Sequence, residues 1–214
     1  MRRVLVVATG NPGKLTELRE LLAGLDLELR SLSELGLPSP EETGATFAEN
    51  ASLKARAAAG AAKSWALGDD SGLCVDALSG GPGLHSARYA ATDEARRTRL
   101  LRELDGVPAA RRGAHFFCAA ALCAPDGRLF RAEGRVDGSI ATAPRGTNGF
   151  GYDPLFLPVE TPGRTLAELQ PDAKNRLSHR GRALEGLRPA LVALARGADP
   201  GHSWQRSRGN LRVR

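Results

Sequence analysis

The stretch Leu67–Leu73, LGDDSGL, most constrains the fold, because it sets two adjacent carboxylates and a hydroxyl between glycines and apolar flanks. Apolar flanks predict burial and glycine permits sharp turns, so the pattern predicts a short buried strand that runs into a tight turn. Since side chains alternate along a strand, Asp69 and Asp70 are expected to point to opposite faces. The stretch is equally typical of a polar turn in which Asp69 and Ser71 bond their own backbone.

Composition narrows the class of protein. The chain has 214 residues and a net charge of +6, which allows one large or two small domains. We predict a single domain over residues 1–196 and a basic, disordered tail over 197–214, which holds four arginines and one aspartate. The remaining excess of positive charge suits a protein that handles phosphates, and no specific nucleic acid is expected. The only apolar run near the start, Val4–Ala8, is too short for a membrane span, so a cytoplasmic protein is expected.

A candidate phosphate-binding loop lies near the start of the chain. Apolar residues 3–8 predict a strand, and Thr9–Lys14 (TGNPGK) leads into leucines at helical spacing. Asn11 followed by Pro12 predicts a helix start, with asparagine as the cap. Backbone N–H groups and the helix dipole attract an anion there, and Lys14 adds a full charge. The alternative is a capped surface helix with a solvated lysine.

Acidic and basic residues recur before the LGDDSGL stretch. Thr46 and Glu49 form the pattern of a capping box, which predicts a helix from there to about Trp65. On that helix Asn50 and Lys54 share one face. Acidic groups at a strand end suit a divalent metal that faces phosphates, and Lys54 is either part of that site or a lysine at the helix surface.

The second half of the chain offers residues for a flat ligand. The loop after residue 144 sets Phe150 and Tyr152 among glycines, where aromatic faces favour stacking. Farther on, Ser178 is a candidate cap for the last helix, which Pro189 is expected to kink or divide. Asp93 is predicted to cap the helix that carries Leu100 and its neighbours.

The order of these patterns predicts an α/β fold. Strands alternate with helices, and a hairpin near residues 112–140 makes the sheet mixed. We expect a twisted sheet flanked by helices, with the loops meeting in a central cleft between two lobes, since ligands of open α/β sheets bind at strand ends.

Seven motifs occur along the chain in a fixed order: Thr9–Lys14 (TGNPGK), Glu41–Gly44 (EETG), Thr46–Arg56 (TFAENASLKAR), Asp69–Leu73 (DDSGL), Ser86–Tyr89 (SARY), Gly149–Pro154 (GFGYDP) and Ser178–Arg180 (SHR). Together they closely resemble the inosine triphosphate pyrophosphatase family, the XTP/dITP diphosphatases. The resemblance implies a Mg²⁺-dependent enzyme that cleaves ITP, dITP or XTP to the monophosphate and pyrophosphate, and so clears deaminated purines from the nucleotide pool. It also implies a homodimer.

The same resemblance implies roles for individual residues. Asp70 would be the catalytic base and, with Glu41, a magnesium ligand. Residues 9–14 and Lys54 would hold phosphates, and residues 150–153 would form the base and sugar pocket. Lys174, His179 and Arg180 would read the 6-keto group. The implied substrate contacts are Thr9, Gly10, Asn11, Pro12, Gly13, Lys14, Lys54, Ser71, Phe150, Gly151, Tyr152, Asp153, Lys174, His179 and Arg180.

Two other functions compete with this one. A related pyrophosphatase of the Maf type would take a canonical or modified pyrimidine nucleotide, but the SHR and GFGYDP motifs argue against it. A nucleotide- or RNA-binding protein without catalysis would depend on the arginine tail, and its affinity would fall steeply with salt.

Overall fold

A computed structural model of the chain describes residues 2–201. The strands are β1 (Arg3–Val7), β2 (Leu27–Ser31), β3 (Trp65–Val75), β4 (Gly113–Cys123), β5 (Leu129–Ile140) and β6 (Phe156–Pro158). The α-helices are α1 (Pro12–Leu22), α2 (Phe47–Ala62), α3 (Asp93–Glu103), α4 (Pro171–Leu177) and α5 (His179–Ala195). None of the helices in this range combines the length and the apolar character needed to cross a bilayer.

The strands form one six-stranded sheet in the order β2-β1-β3-β4-β5-β6. β1 is parallel to both neighbours, with Leu5 opposite Leu29 on β2 and opposite Trp65 on β3. β5 and β6 are antiparallel, with Ser139 opposite Leu157. The mixed sheet flanked by helices confirms the predicted α/β class.

The chain divides into two compact units. Within the described range, the first comprises residues 2–70, 119–133 and 183–201, and the second comprises residues 71–118 and 134–182. β1 is fully buried at Leu5 and Val6 in the first unit. The core of the second unit packs Leu73, Leu100, Phe116, Val136, Tyr152, Leu155 and Phe156 together. The single domain over residues 1–196 and the central cleft stay predictions.

The expected turn at LGDDSGL was wrong, because β3 continues through all of it. The turn was expected from the two glycines, but neither Gly68 nor Gly72 has the positive φ of a glycine turn. Gly68 instead permits close packing against α2, since a Cβ there would lie 2.4 Å from the Ala51 carbonyl oxygen and 2.7 Å from the Ala55 nitrogen. Asp69 and Asp70 contact lysines of different helices, α1 and α2 respectively, and their placement on opposite faces stays a prediction.

Two predicted helix starts are confirmed. The Asn11 side chain caps α1, and Thr46 and Glu49 form the reciprocal capping box of α2. α2 nevertheless ends at Ala62 rather than near Trp65, because Lys63 adopts a left-handed conformation with a φ of 50°. A left-handed residue commonly terminates a helix.

Later helices required two corrections. Thr92, not Asp93, caps α3, because the Thr92 hydroxyl accepts the Ala95 N–H. Pro189 lies inside α5 without dividing it. Of the predicted tail, residues 197–201 are described, and Asp199 forms an ion pair with Arg128 at 2.7 Å. Residues 202–214 lie outside the described range.

The close approach at Gly68 predicts opposite effects of two glycine substitutions. Gly68→Ala should destabilise the protein by about 1–3 kcal/mol, because the new methyl group meets backbone atoms of α2. Gly60 lies at an exposed position of α2, and nothing lies within 4 Å of a new Cβ there. Gly60→Ala should therefore stabilise the protein by about 0.5–1 kcal/mol. Urea denaturation measures both, and equal effects would contradict the packing role of Gly68.

Candidate active site

The loop after β1 is built around Asn11. Its side-chain oxygen accepts the N–H groups of Gly13 at 2.9 Å and Lys14 at 3.2 Å, and its own N–H donates to Thr9 Oγ1 at 3.1 Å. These bonds fix the start of α1 where the sequence predicted it. The Lys14 ammonium then lies 3.2 Å from Asp69 Oδ2, and its side chain is only 12% exposed. A partly buried lysine thus pairs with a buried aspartate beside a helix start.

Lys54 lies at the centre of the first unit's charged cluster. Its ammonium donates to Asp70 Oδ1 at 3.0 Å and to Glu42 Oε1 at 2.9 Å. Burial acts to lower the pKa of Lys54, but the charges of Asp69, Asp70 and Glu42 outweigh burial and raise that pKa above its usual value. Lys54 is thus held as a cation between two carboxylates rather than lying along the helix surface.

Asn50 connects the acidic loop to Asp70. Its side-chain oxygen accepts the Gly44 N–H at 2.7 Å, and its side-chain nitrogen donates to Asp70 Oδ2 at 3.1 Å. Both oxygens of Asp70 are therefore engaged, one by an ammonium and one by an amide. The sequence gives Asn50 and Lys54 the same helix face, which is the signal that places both against Asp70.

The two predicted magnesium ligands, Asp70 and Glu41, differ in burial. Asp70 lies in the cluster, only 6% exposed, whereas Glu41 is exposed and its neighbour Glu42 reaches Lys54. No group of three or more acidic, histidine or cysteine residues suited to a metal occurs within residues 2–201. The Asp70 and Glu42 carboxylates already hold one cation between them, and carboxylate oxygens are the ligands that Mg²⁺ prefers, so this donor set fits that ion.

The second unit carries a separate cluster around the GFGYD loop. The Lys174 ammonium lies 2.7 Å from Asp153 Oδ2 and 5.0 Å from the centre of the Phe150 ring. The Asp153 carboxylate also accepts the Phe150 N–H at 2.9 Å. Gly149 makes this possible, because its φ is +78° and a Cβ would lie 2.1 Å from Asp153 Oδ2.

His179 and Arg180 follow the Ser178 cap of α5, whose hydroxyl accepts the Gly181 N–H at 2.9 Å. The His179 ring stacks on Phe116 with centroids 4.7 Å apart and planes 8° apart. Arg180 donates to Ser71 Oγ at 3.0 Å and lies 6.0 Å from the Phe150 ring centre. Phe116 was not predicted as a site residue, since an apolar residue in a strand signals only burial.

The structure thus brings the predicted site residues together within each unit. In the first unit, Lys14, Lys54 and Asp70 lie in the charged clusters, which Asp69, Glu42 and Asn50 complete. In the second unit, Ser71 contacts Arg180, and Phe150, Asp153 and Lys174 contact one another. Tyr152 is buried, and its hydroxyl donates to the Ser86 carbonyl oxygen at 3.0 Å.

Helices of an α/β fold thus set lysines against two adjacent carboxylates of β3, beside a helix start, and a third such pair lies at an aromatic turn. Lysine cations beside the N–H groups of a helix start are typical of proteins that bind phosphate groups. Comparison with known proteins defines the group further. The profile of the Ham1 family matches residues 5–190, and the chain belongs to that family. This confirms the family recognised from the seven motifs.

Similar proteins cover most of the chain. A dITP/XTP pyrophosphatase of Geobacter sulfurreducens is 52% identical over 87% of this chain and 96% of its own length. One from Geobacillus kaustophilus is 51% identical over 86% of this chain and 91% of its own. A Ham1 protein structure from Coxiella burnetii has a TM-score of 0.77 and 43% identity, covering 91% of this chain and 99% of the other.

The two bonds of Asn50 predict a large effect for a nearly isosteric change. Asn50→Leu should lower the free energy of unfolding by about 1–3 kcal/mol, because it leaves the Gly44 N–H and an Asp70 oxygen without their buried partner. Ser52→Ala on the same helix removes only a hydroxyl bonded to the Ala48 carbonyl, and should change stability by less than about 0.5 kcal/mol. Denaturation curves that coincide for the two variants would contradict this role.

The raised pKa of Lys54 predicts a loss of stability at alkaline pH. A folded-state pKa above the unfolded one stabilises fully below the unfolded value, about 10.4, and this contribution disappears as pH rises through the folded value. The free energy of unfolding of the wild type, measured by urea denaturation, should therefore fall above about pH 10.4 more steeply than that of Lys54→Met. Lys63→Met, at an exposed lysine, should follow the wild type, and parallel curves for all three proteins would refute the effect.

Proposed function

We propose that this chain hydrolyses ITP, dITP and XTP between the α- and β-phosphates, releasing the nucleoside monophosphate and pyrophosphate. The proposal is supported by the Ham1 family membership and by relatives about half identical that are named dITP/XTP pyrophosphatases. The observation that carries it is the Lys54 ammonium held between Asp70 and Glu42. Such an arrangement combines a cation for phosphate oxygens with a carboxylate that can accept a proton.

Residues of the first unit would act on the triphosphate. Lys14 and Lys54 offset the negative charge that develops on phosphoryl oxygens in the transition state. Asp70 accepts the proton of the attacking water, and the Asn50 amide orients its carboxylate for this. The N–H groups at the start of α1 add further donors for the phosphates.

A magnesium ion would be held by Asp70 and one carboxylate of the acidic loop. Sequence resemblance favours Glu41, whereas Glu42 is the residue in contact with Lys54. When bound, Mg²⁺ polarises a phosphoryl oxygen and lowers the pKa of water. Binding there would require Lys54 to yield its place between the carboxylates, and its ammonium then becomes available to phosphate. Separate Glu41→Gln and Glu42→Gln variants, compared by the magnesium concentration for half-maximal activity, distinguish the two ligands.

Residues of the second unit would recognise the base. Lys174, His179 and Arg180 offer donors, and hypoxanthine and xanthine present an acceptor at C6 where adenine presents an amine. A donor that faces another donor in a buried pocket is left unpaired, and this rejects the wrong base. Phe150, with cations near its ring, supplies a stacking face. Guanine also has a 6-keto group, so its exclusion must arise at the 2-position.

Pyrophosphate release tests the proposal directly. Release from ITP, dITP and XTP should exceed that from ATP and dTTP, and EDTA should abolish it. Asp70→Asn should lower kcat by at least about 100-fold, since it removes the proton acceptor. Asp105→Asn makes the same chemical change at an exposed turn and should keep wild-type activity. Full activity of a folded Asp70→Asn protein would overturn the assignment.

The same assay separates the competing functions. Preference for dTTP would indicate a Maf-type enzyme. An inactive protein whose RNA affinity disappears when residues 202–214 are deleted would be a binding protein. That deletion keeps Asp199, which pairs with Arg128, so it spares the described contacts. We also propose a homodimer, which size-exclusion chromatography with light scattering tests, and a cytoplasmic location.

A further inference from the structure

Two side chains of α3 hold the backbone of Gly151. Asp93 Oδ2 accepts the Gly151 N–H at 2.8 Å, and Arg97 Nη1 donates to the Gly151 carbonyl oxygen at 2.8 Å. The two residues are four apart, so they lie on one face of the helix, one turn from each other. Opposite charges are thus matched to the opposite ends of one residue's backbone.

Gly151 is the residue of its loop that most needs such restraint. Its φ is +60°, and nothing lies within 4 Å of the position a Cβ would take, so no side-chain packing limits its conformation. Glycine adopts this region and several others about equally well. The N–H of Gly151 belongs to the peptide shared with Phe150, and its carbonyl belongs to the peptide shared with Tyr152. Holding both groups therefore fixes the peptide planes on both sides of this glycine.

The rest of the loop is fixed by bonds that do not involve Gly151. Asp153 accepts the Phe150 N–H through its side chain, and its own N–H donates to the Phe150 carbonyl at 3.2 Å. The Tyr152 hydroxyl reaches the Ser86 carbonyl. Phe150 itself is only half buried, and the peptide that joins it to Gly151 is held at both ends, by the Asp153 N–H at its carbonyl and by Asp93 at its N–H.

Asp93 is held in position by bonds of its own. Arg96 Nη1 donates to the other Asp93 oxygen at 2.7 Å, and Arg96 Nε donates to the Ala90 carbonyl at 2.9 Å. The Asp93 carboxylate is thus fixed from two directions, toward Arg96 and toward Gly151. A first-turn acid needs no such support to interact with the helix dipole, and the neighbouring Glu94 has that position without it.

We propose that Asp93 and Arg97 are positioning residues for purine recognition, which act by fixing the Gly151 backbone and hence the direction of the Phe150 ring. This inference rests on the proposed function, because it assumes that the loop receives the base of a nucleotide. It assigns α3, which carries none of the substrate contacts predicted from sequence, to the orientation of the base rather than to the handling of phosphates.

Four variants in two matched pairs test the proposal. Asp93→Ala removes the acceptor for Gly151, and Glu94→Ala removes an exposed acid from the same turn, so both lose the same dipole interaction. Arg97→Gln shortens the donor to Gly151, and Arg102→Gln makes the same change near the end of α3. For each protein we would measure KM and kcat for ITP, inhibition by pyrophosphate, which has no base, and the thermal unfolding midpoint.

Asp93→Ala and Arg97→Gln should raise KM for ITP about tenfold, because loss of one charge-assisted bond leaves the loop in its base-binding conformation only about a tenth of the time. Inhibition by pyrophosphate should not change, and Glu94→Ala and Arg102→Gln should keep the wild-type values of both. The unfolding midpoint serves to show that each variant is folded. Arg97→Lys, which keeps a cationic donor, should recover part of the affinity. A merely structural role would weaken ITP binding and pyrophosphate inhibition together.

The outcomes separate this inference from the proposed function. A wild-type chain that releases no pyrophosphate from ITP overturns the proposed function. A wild-type chain that is active, with Asp93→Ala and Arg97→Gln indistinguishable from their controls, overturns the positioning role alone. Equal losses for ITP and for pyrophosphate inhibition overturn it as well.

Discussion

The ion pair between Lys54 and Asp70 is the contact on which the first cluster depends. It forms because α2 approaches β3 closely, and that approach needs Gly68 on the strand facing Ala51 and Ala55 on the helix. Small residues on both elements thus set the distance at which the long lysine side chain meets the aspartate. Asn50 then connects the same carboxylate to the acidic loop. One close contact between backbones therefore positions three charged or polar groups.

A buried ion pair is weak evidence that the pair is needed to stabilise the fold. Removing two charges from water costs several kcal/mol per ion, and apolar residues of similar volume often stabilise a fold equally well. The described residues nevertheless include two buried pairs, Lys54 with Asp70 and Lys174 with Asp153, and one partly buried pair, Lys14 with Asp69. Since each of these lysines is a predicted substrate contact, their placement is better explained by function than by stability.

Local patterns predicted the local features of this protein well. The cap at Asn11, the capping box at Thr46 and the cap at Ser178 each depend on residues within three positions of one another, so sequence alone determines them. Local patterns could not show that Gly68 permits close packing rather than a turn. A glycine that permits a turn and a glycine that permits a helix to come close look the same in sequence, and only the distant α2 backbone distinguishes them.

Long-range contacts account for the other omissions. Asp93 was expected to cap α3, which is the usual role of an aspartate at a helix start, but its partner Gly151 lies 58 positions away. The choice between Glu41 and Glu42 depends on how a loop meets Lys54, twelve positions later. The burial of Phe116 in its strand was readable, whereas its stacking on His179 was not.

Lysine is rare in this chain, so the three lysine–aspartate pairs can be probed by chemical labelling. Of the 30 lysines and arginines in the chain, only Lys14, Lys54, Lys63 and Lys174 are lysines. Lys63 is exposed, and the other three are the partners of Asp69, Asp70 and Asp153. An amine-directed reagent would therefore label Lys63 before the other three lysines. The slower labelling of each remaining lysine would measure how often its ion pair opens, with little background from the rest of the surface.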